Sequence, residues 1–166
     1  MNQIEGYAHK FGDNINTDYI IPSKYKARTT NIKDMSSYLM SEISPGFSNR
    51  IKIGDFLVAG ENFGCGSSRE AAPQVIKASG ISAVIASSFG RIFFRNSINI
   101  GLMLIESNTE SIDDGDFIIV DNDQAIINNK TKDIIIKSNV LPAFMQQIIQ
   151  HDGIFNYLRY NSLDFD

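Results

Sequence analysis

Hydrophobic and polar positions alternate in a strand–helix–strand–helix–strand order between residues 56 and 106. Apolar segments at 56–59, 81–86 and 102–106 flank two segments of helical character, near 70–79 and 91–98. This order predicts parallel strands joined by crossover helices. We expect the first helix to begin near residues 70–72, because Pro73 has no backbone donor and fits only the first turn. Gly80 is a natural residue to follow its last turn.

The flanking segments complete the predicted domain. Residues 4–11 alternate with the period of a half-buried strand, and residues 32–40 favour a short helix. Residues 51–59 favour a strand with a small break at Gly54 and Asp55. Short β segments at 116–120, 124–128 and 133–137 predict an antiparallel meander. Residues 141–149 and 154–158 predict a C-terminal helix interrupted at Asp152 and Gly153, and residues 161–166 a frayed tail. With no repeat or linker, residues 1–166 are expected to form one α/β domain.

Composition excludes several classes of function. Hydrophobic residues make up 43% and charged residues 20%, as in ordinary soluble proteins. Fifteen basic and nineteen acidic residues give a net charge of −4 without a basic block, so nucleic acid is not an expected partner. No apolar run is long enough for a membrane span, and the N-terminus lacks a signal-peptide pattern. The single Cys65 fits a cytoplasmic location, and alone it cannot hold an iron–sulfur cluster or a cysteine zinc site.

A glycine-rich stretch between a predicted strand and helix is the main candidate for chemistry. Its glycines allow left-handed backbone angles, the serines stand near a helix start that favours anions, and the arginine matches a carboxylate or phosphate. We interpret it as an anion-binding turn; the alternative is a structural turn with a serine cap. The residues concerned are Gly60, Gly64, Gly66, Ser67, Ser68 and Arg69.

The sequence gives less support to other kinds of functional site. The turn lacks the Gly-x-Ser-x-Gly pattern of a hydrolase elbow and the glycine spacing of a dinucleotide site. His9 and His151 have no suggestive context. Cys65 could be a reactive thiol, but a packed role is favoured. Arg91 and Arg95 share a helix face and could bind an anion, although anchoring of surface carboxylates is favoured.

Three ordered motifs carry a resemblance to a known family. They are GDNINTDYIIP at 12–22, GCGSSRE at 64–70 and SFGRIFFRN at 88–96. Together they resemble the small subunit of 3-isopropylmalate dehydratase, which is equivalent to the swivelling domain of aconitase. The resemblance implies a single swivelling β/β/α domain of three layers, with a mixed central sheet and a β meander.

The resemblance also implies roles for individual residues. Ser67 would be the base that removes the proton next to a substrate carboxylate. Ser68 and Arg69 would hold the substrate and stabilise developing charge, and Asp18, otherwise a turn residue like Asp13, would line the site. The loop after residue 22 would bind the substrate through Arg28, Lys26 and Thr29, and the glycine-rich turn would bind it through Gly66.

A second chain follows from the same resemblance. Its members work with a 4Fe-4S cluster that acts as a Lewis acid on the leaving hydroxyl, and one cysteine cannot supply that cluster's ligands. The implied partner is therefore a cluster-bearing large subunit, and the implied substrate a small di- or tricarboxylate hydroxy acid. The expected activity is the interconversion of 2- and 3-isopropylmalate in leucine biosynthesis. Alternatives are homoaconitase, a 2,3-dimethylmalate or methylmalate-type dehydratase, and a non-catalytic carboxylate-binding or docking domain.

Two departures from the family pattern concern the substrate side. Ala71 stands where the family often has histidine. The loop at residues 25–29 is one residue longer than its usual counterpart.

Overall fold

A mixed sheet forms the centre of the fold in the computed structural model, which describes residues 3–26 and 28–162. Within those residues the sheet has seven strands in the order β4-β3-β2-β1-β5-β6-β7. The strands are β1 (Gln3–Lys10), β2 (Phe56–Ala59), β3 (Ala83–Ala86), β4 (Met103–Glu106), β5 (Phe117–Asp121), β6 (Ile126–Asn129) and β7 (Ile134–Lys137).

Strand β1 joins a parallel half of the sheet to an antiparallel half. Its end pairs in parallel with β2, where Ala8 lies opposite Phe56, and its beginning pairs antiparallel with β5, where Gly6 lies opposite Ile118. The parallel β2–β3–β4 order and the β5–β6–β7 meander are both as predicted. A Cβ at Gly6 would lie 2.4 Å from the Gly54 carbonyl oxygen, so this crossing requires glycine.

Helices occupy the connections from β1 to β2, β2 to β3 and β3 to β4, and two more follow β7. Pro73 falls in the first turn of α4 and Gly80 follows its end with φ +94°, as predicted. Helix α3 ends before the predicted residue 40, because Met40 adopts φ +58° and its N–H bonds to the Ile20 carbonyl. The helices are α1 (Thr17–Ile20), α2 (Ser23–Lys26), α3 (Ile32–Ser36), the 3₁₀ turn Phe47–Arg50, α4 (Ala71–Ala78), α5 (Arg91–Asn99), α6 (Ala143–Gln150) and α7 (Ile154–Ser162).

One prediction about the C-terminus is wrong in part. Helix α7 continues to Ser162, two residues into the segment predicted to be frayed. Residues 163–166 lie outside the described residues. The predicted interruption before α7 is confirmed: Asp152 and Gly153 both have positive φ.

Two hydrophobic cores lie on opposite faces of the parallel strands. Leu57 and Val84 face the helices, where they join a cluster with Val75 of α4 and Phe93 of α5. Alternate residues of the same strands face the meander. That second cluster contains Phe56, Val58, Ala83, Ile85, Ile118, Val120 and Ile127. The meander therefore folds over one face of the parallel strands while helices cover the other, which gives the expected three layers.

A buried carboxylate holds the junction of β1 and β2. Asp55 accepts hydrogen bonds from the Lys52 N–H (2.9 Å), the Tyr7 N–H (3.1 Å) and the Nε2 of His9 (2.7 Å). Burial by itself would raise the pKa of Asp55, but these hydrogen bonds outweigh it and the pKa lies below its ordinary value. His9 is thus a structural partner of this carboxylate.

Candidate active site

The first two sequence motifs run side by side at the end of β2. The Gly64 N–H donates to the Ile15 carbonyl at 2.7 Å, and the Thr17 N–H donates to the Cys65 carbonyl at 2.9 Å. These backbone bonds join segments that are far apart in the sequence. They place the beginning of α1 against the glycine-rich turn.

The third motif closes the other side of the turn. Phe63 donates its N–H to the Ser88 carbonyl at 3.0 Å and accepts from the Gly90 N–H at 2.8 Å. A Cβ at Gly90 would lie 2.8 Å from the Gly64 carbonyl oxygen, and one at Gly64 would lie 2.2 Å from Cγ of Phe93. The start of α5 therefore packs directly against the turn.

The turn leaves both serines outside the helix that follows. Gly64 and Gly66 have φ of +76° and +93°, which side-chain-bearing residues rarely adopt. Glu70 is the N-cap of α4 and no side chain caps it, so Ser67 and Ser68 lie three and two residues before the cap. The serine cap in the alternative interpretation is therefore wrong, and the anion-binding interpretation of the turn stays a prediction.

The backbone of Ser67 is fixed while its side chain is exposed. Its carbonyl accepts hydrogen bonds from Oγ1 of Thr17 at 3.0 Å and from the Arg69 N–H at 2.8 Å. Thr17 itself is only 2% exposed. Ser67 and Ser68 are both exposed. A hydroxyl held in this way is open to a ligand from one side.

Arg69 links the turn to α1. Its Nη2 forms an ion pair with Asp18, and its Nη1 donates to the Ile21 carbonyl at 3.1 Å. The Arg69 side chain is 22% exposed and that of Asp18 54%. Asp18 lies within helix α1, and the side chain of the N-cap residue Asn16 accepts a hydrogen bond from the Tyr19 N–H. Asp18 is therefore a helical residue and not the turn residue of the alternative interpretation. The structure brings Asp18 to Arg69, while its role as a site residue stays a prediction.

The predicted recognition loop makes contacts within itself. The guanidinium of Arg28 lies over the Tyr25 ring, 5.4 Å from its centroid, and that ring stacks on Tyr38 at 4.0 Å. The Thr29 hydroxyl accepts a hydrogen bond from the backbone two residues later. The prediction for the Lys26 side chain lies outside the described residues. Substrate binding by this loop stays a prediction.

Two arginines on α5 differ from their favoured interpretation. Arg91 and Arg95 are exposed, and within residues 3–26 and 28–162 neither has a carboxylate partner. The role as anchors of surface carboxylates is therefore wrong. Thr17, in contrast, was missed in the sequence, where it reads as an ordinary turn hydroxyl beside Asp18.

Metal-ligating side chains are scattered in the part of the chain that the structure describes. Among the described residues no group of three His, Cys, Asp or Glu side chains could hold a metal ion. Cys65 is the only cysteine and is half-buried, with its backbone bonded to α1. In the described part of the chain, no helix has the length and hydrophobicity of a membrane span.

Comparisons with known proteins agree in one family. Residues 43–110 match the model of the aconitase C-terminal domain. A 3-isopropylmalate dehydratase small subunit from Caldanaerobacter subterraneus is 49% identical over 158 residues, which cover 94% of this chain and 98% of the relative. A 3-isopropylmalate dehydratase small subunit 2 from Archaeoglobus fulgidus is 44% identical over 154 residues, 93% of each chain. The crystal structure of a 3-isopropylmalate dehydratase chain from Methanocaldococcus jannaschii superposes with a TM-score of 0.94 at 47% identity, covering 97% of this chain and 96% of that one.

Proposed function

Because this chain belongs to the family of 3-isopropylmalate dehydratase small subunits, we propose that it supplies the proton-transferring half of that enzyme's active site. The enzyme is a hydro-lyase that interconverts 2- and 3-isopropylmalate by removing and re-adding water. The observation that carries the proposal is the exposed Ser67 hydroxyl on a fixed backbone next to Arg69.

Ser67 acts as the base. A serine hydroxyl is a weak base unless nearby positive charge stabilises its alkoxide, and the guanidinium of Arg69 is two residues away. The alkoxide takes the proton from the carbon next to a substrate carboxylate, and the electron pair of the broken C–H bond forms a double bond to the neighbouring carbon. The hydroxyl leaves that neighbouring carbon with its bonding pair, as hydroxide, for which a Lewis acid on the partner chain would supply the acceptor. When water adds back in the opposite sense, Ser67 returns its proton to the carbon that carried the hydroxyl.

The remaining residues bind the substrate. The two carboxylates of isopropylmalate suit the planar donors of Arg69, which Asp18 and the Ile21 carbonyl hold in place. Ser68 adds a hydroxyl donor, and Gly66 lets the backbone approach the ligand. Arg28, Lys26 and Thr29 are assigned to recognition of the remainder of the substrate.

The rest of the site comes from a large subunit. A single cysteine does not provide the thiolates of a 4Fe-4S cluster, so we assign that cluster to the partner chain. The exposed serines would then lie at the interface between the two subunits. The lone thiol also fits a cytoplasmic enzyme.

The proposal is tested by reconstituting the chain with its large subunit and measuring dehydration of 2-isopropylmalate. Ser67→Ala should lower kcat by at least about a hundredfold, the lower range for general acid–base catalysis. Ser111→Ala is the matched control, an exposed serine beside the meander, and should retain wild-type turnover. Near-normal turnover of Ser67→Ala would refute the assignment of the base.

A further inference from the structure

A groove of about 690 Å³ begins directly beside the glycine-rich turn that carries Ser67 and Arg69. It lies between α4, α5 and α7, and its walls include Glu70 and Gln74, Asn96 and Asn99, and Phe155. Glu70 immediately follows Arg69 in the chain. The groove therefore continues the surface on which the proposed half-site lies.

The groove is already formed in the isolated chain. A Cβ at Gly153 would lie 2.8 Å from the Asn99 carbonyl oxygen, and one at Gly101 would lie 2.8 Å from the Asp152 carbonyl carbon. The Nζ of Lys77 bonds to both the Ile100 carbonyl and the Asp152 carboxylate, each at 2.5 Å. Because these backbones are packed against each other, a ligand would not have to order them on binding.

Exposed side chains lie on the helices that form the groove, and within the described part of the chain the two arginines among them have no carboxylate partner. Phe155 is 81% exposed, and Ile92 at the start of α5 is 50% exposed. Arg91, Arg95 and Asn99 follow one another at intervals of four residues along α5, so the two arginines lie on the same side of the helix as Asn99, which lines the groove. Exposed aromatic side chains and arginines are both enriched in the centres of protein interfaces.

We propose that this groove receives a segment of the large subunit, with acidic side chains of that segment at Arg91 and Arg95 and an apolar one against Phe155. The inference rests on the proposed function, because a half-site that needs a second chain must have that chain adjacent to it. A second copy of this chain fits less well. A symmetric pairing would bring the unpaired arginines of both copies into one interface.

The test compares two double variants with matched changes of charge. Phe155→Glu with Arg95→Glu alters the groove, and Ile135→Glu with Lys137→Glu makes the same replacement on β7, at the far edge of the sheet. Phe155 and Ile135 are 81% and 66% exposed, so neither change should disturb folding. Phe155→Ala alone is a milder second variant.

The large subunit is titrated into a fixed amount of each variant, and the concentration for half-maximal dehydratase activity is measured. The groove variant should need at least about tenfold more partner, with kcat and KM at saturation unchanged, while the β7 variant matches wild type. If the groove variant reached half-maximal activity at the same large-subunit concentration as wild type, the inference would be overturned. A raised KM for the substrate alone would also overturn it, as would a dimer of the isolated chain that only the groove variant dissociates in sedimentation.

Direct binding separates this inference from the proposed function. Fluorescence anisotropy of the labelled large subunit reports association without turnover. If the wild-type pair binds but does not dehydrate isopropylmalate, the proposed function fails while the groove is still tested by the same variants. Equal binding of wild type and the groove variant would refute the groove alone.

Discussion

Replacing Thr17 by valine tests how the turn holds its serine. The hydroxyl of Thr17 donates to the Ser67 carbonyl at 3.0 Å from a position that is 2% exposed. Valine has nearly the same shape but no donor, so the change removes one hydrogen bond from the backbone of the proposed base. The N–H of residue 17 still bonds to the Cys65 carbonyl, which keeps the two motifs side by side.

The expected loss of stability is small. An intramolecular hydrogen bond contributes about 1 kcal/mol net, and the Ser67 carbonyl keeps its second donor, the Arg69 N–H. For a domain of this size, that loss corresponds to a fall in Tm of about 2–4 °C. The effect on turnover should be larger, because misplacement of a catalytic group by about 1 Å can cost about a hundredfold.

The assay is steady-state dehydration by the reconstituted pair at saturating large subunit. Thr17→Val should lower kcat by at least about tenfold with KM changed less than about threefold, because the groups that hold the substrate are untouched. Thr17→Ser restores the donor and should recover most of kcat. If Thr17→Val lowers Tm but leaves kcat intact, or if Thr17→Ser is as slow as valine, the hydroxyl does not position the base.

Two further predictions concern stability, both measured by urea unfolding. Gly64→Ala should lower the free energy of unfolding by more than about 2 kcal/mol, because Gly64 has φ +76° and its added Cβ would lie 2.2 Å from Phe93. Gly12→Ala is the control: its Cβ meets nothing within 4 Å, so stability should change by less than about 0.5 kcal/mol. Asp55→Asn should be destabilising at pH 7. The pKa of Asp55 is lowered in the folded state, so its stabilisation is present above the ordinary value of about 3.9 and is lost as the pH falls through the folded pKa. The difference in free energy of unfolding between wild type and Asp55→Asn should therefore become smaller in acid, and a difference that stays constant across pH would contradict this account. For the glycines, equal losses of stability in Gly64→Ala and Gly12→Ala would contradict the packing argument.

Local chemistry was enough to predict the α/β half of the fold. Pro73 and Gly80 set the ends of α4 correctly because both act through their own backbone. Of the strand predicted at 51–59, only the part after the predicted break at Gly54 and Asp55 forms, as Phe56–Ala59, and Gly54 adopts φ +105°. Helix α1 could not be predicted, because four residues form a stable turn only with the Asn16 cap and the distant partners that hold them.

The site shows the same division between local and distant effects. Ser67 and Arg69 stand out in the sequence as neighbours in one glycine-rich turn. Their partners do not: the Thr17 hydroxyl bonds to a carbonyl 50 positions away, and the ion pair of Arg69 with Asp18 likewise crosses between motifs. The groove draws its walls from three helices, so no single segment predicts it.

The central claim is that Ser67 moves the substrate proton once a second chain completes the site. Its most direct test is deuterium incorporation in D₂O, followed by NMR of the 2-isopropylmalate recovered from the reconstituted pair. Whenever the unsaturated intermediate is released, the Ser67 hydroxyl exchanges its hydrogen with D₂O, so over many turnovers wild type should place deuterium on the methylene carbon of 2-isopropylmalate. Ser67→Ala should place essentially none while binding the large subunit normally. Incorporation by Ser67→Ala at the wild-type rate would contradict the account.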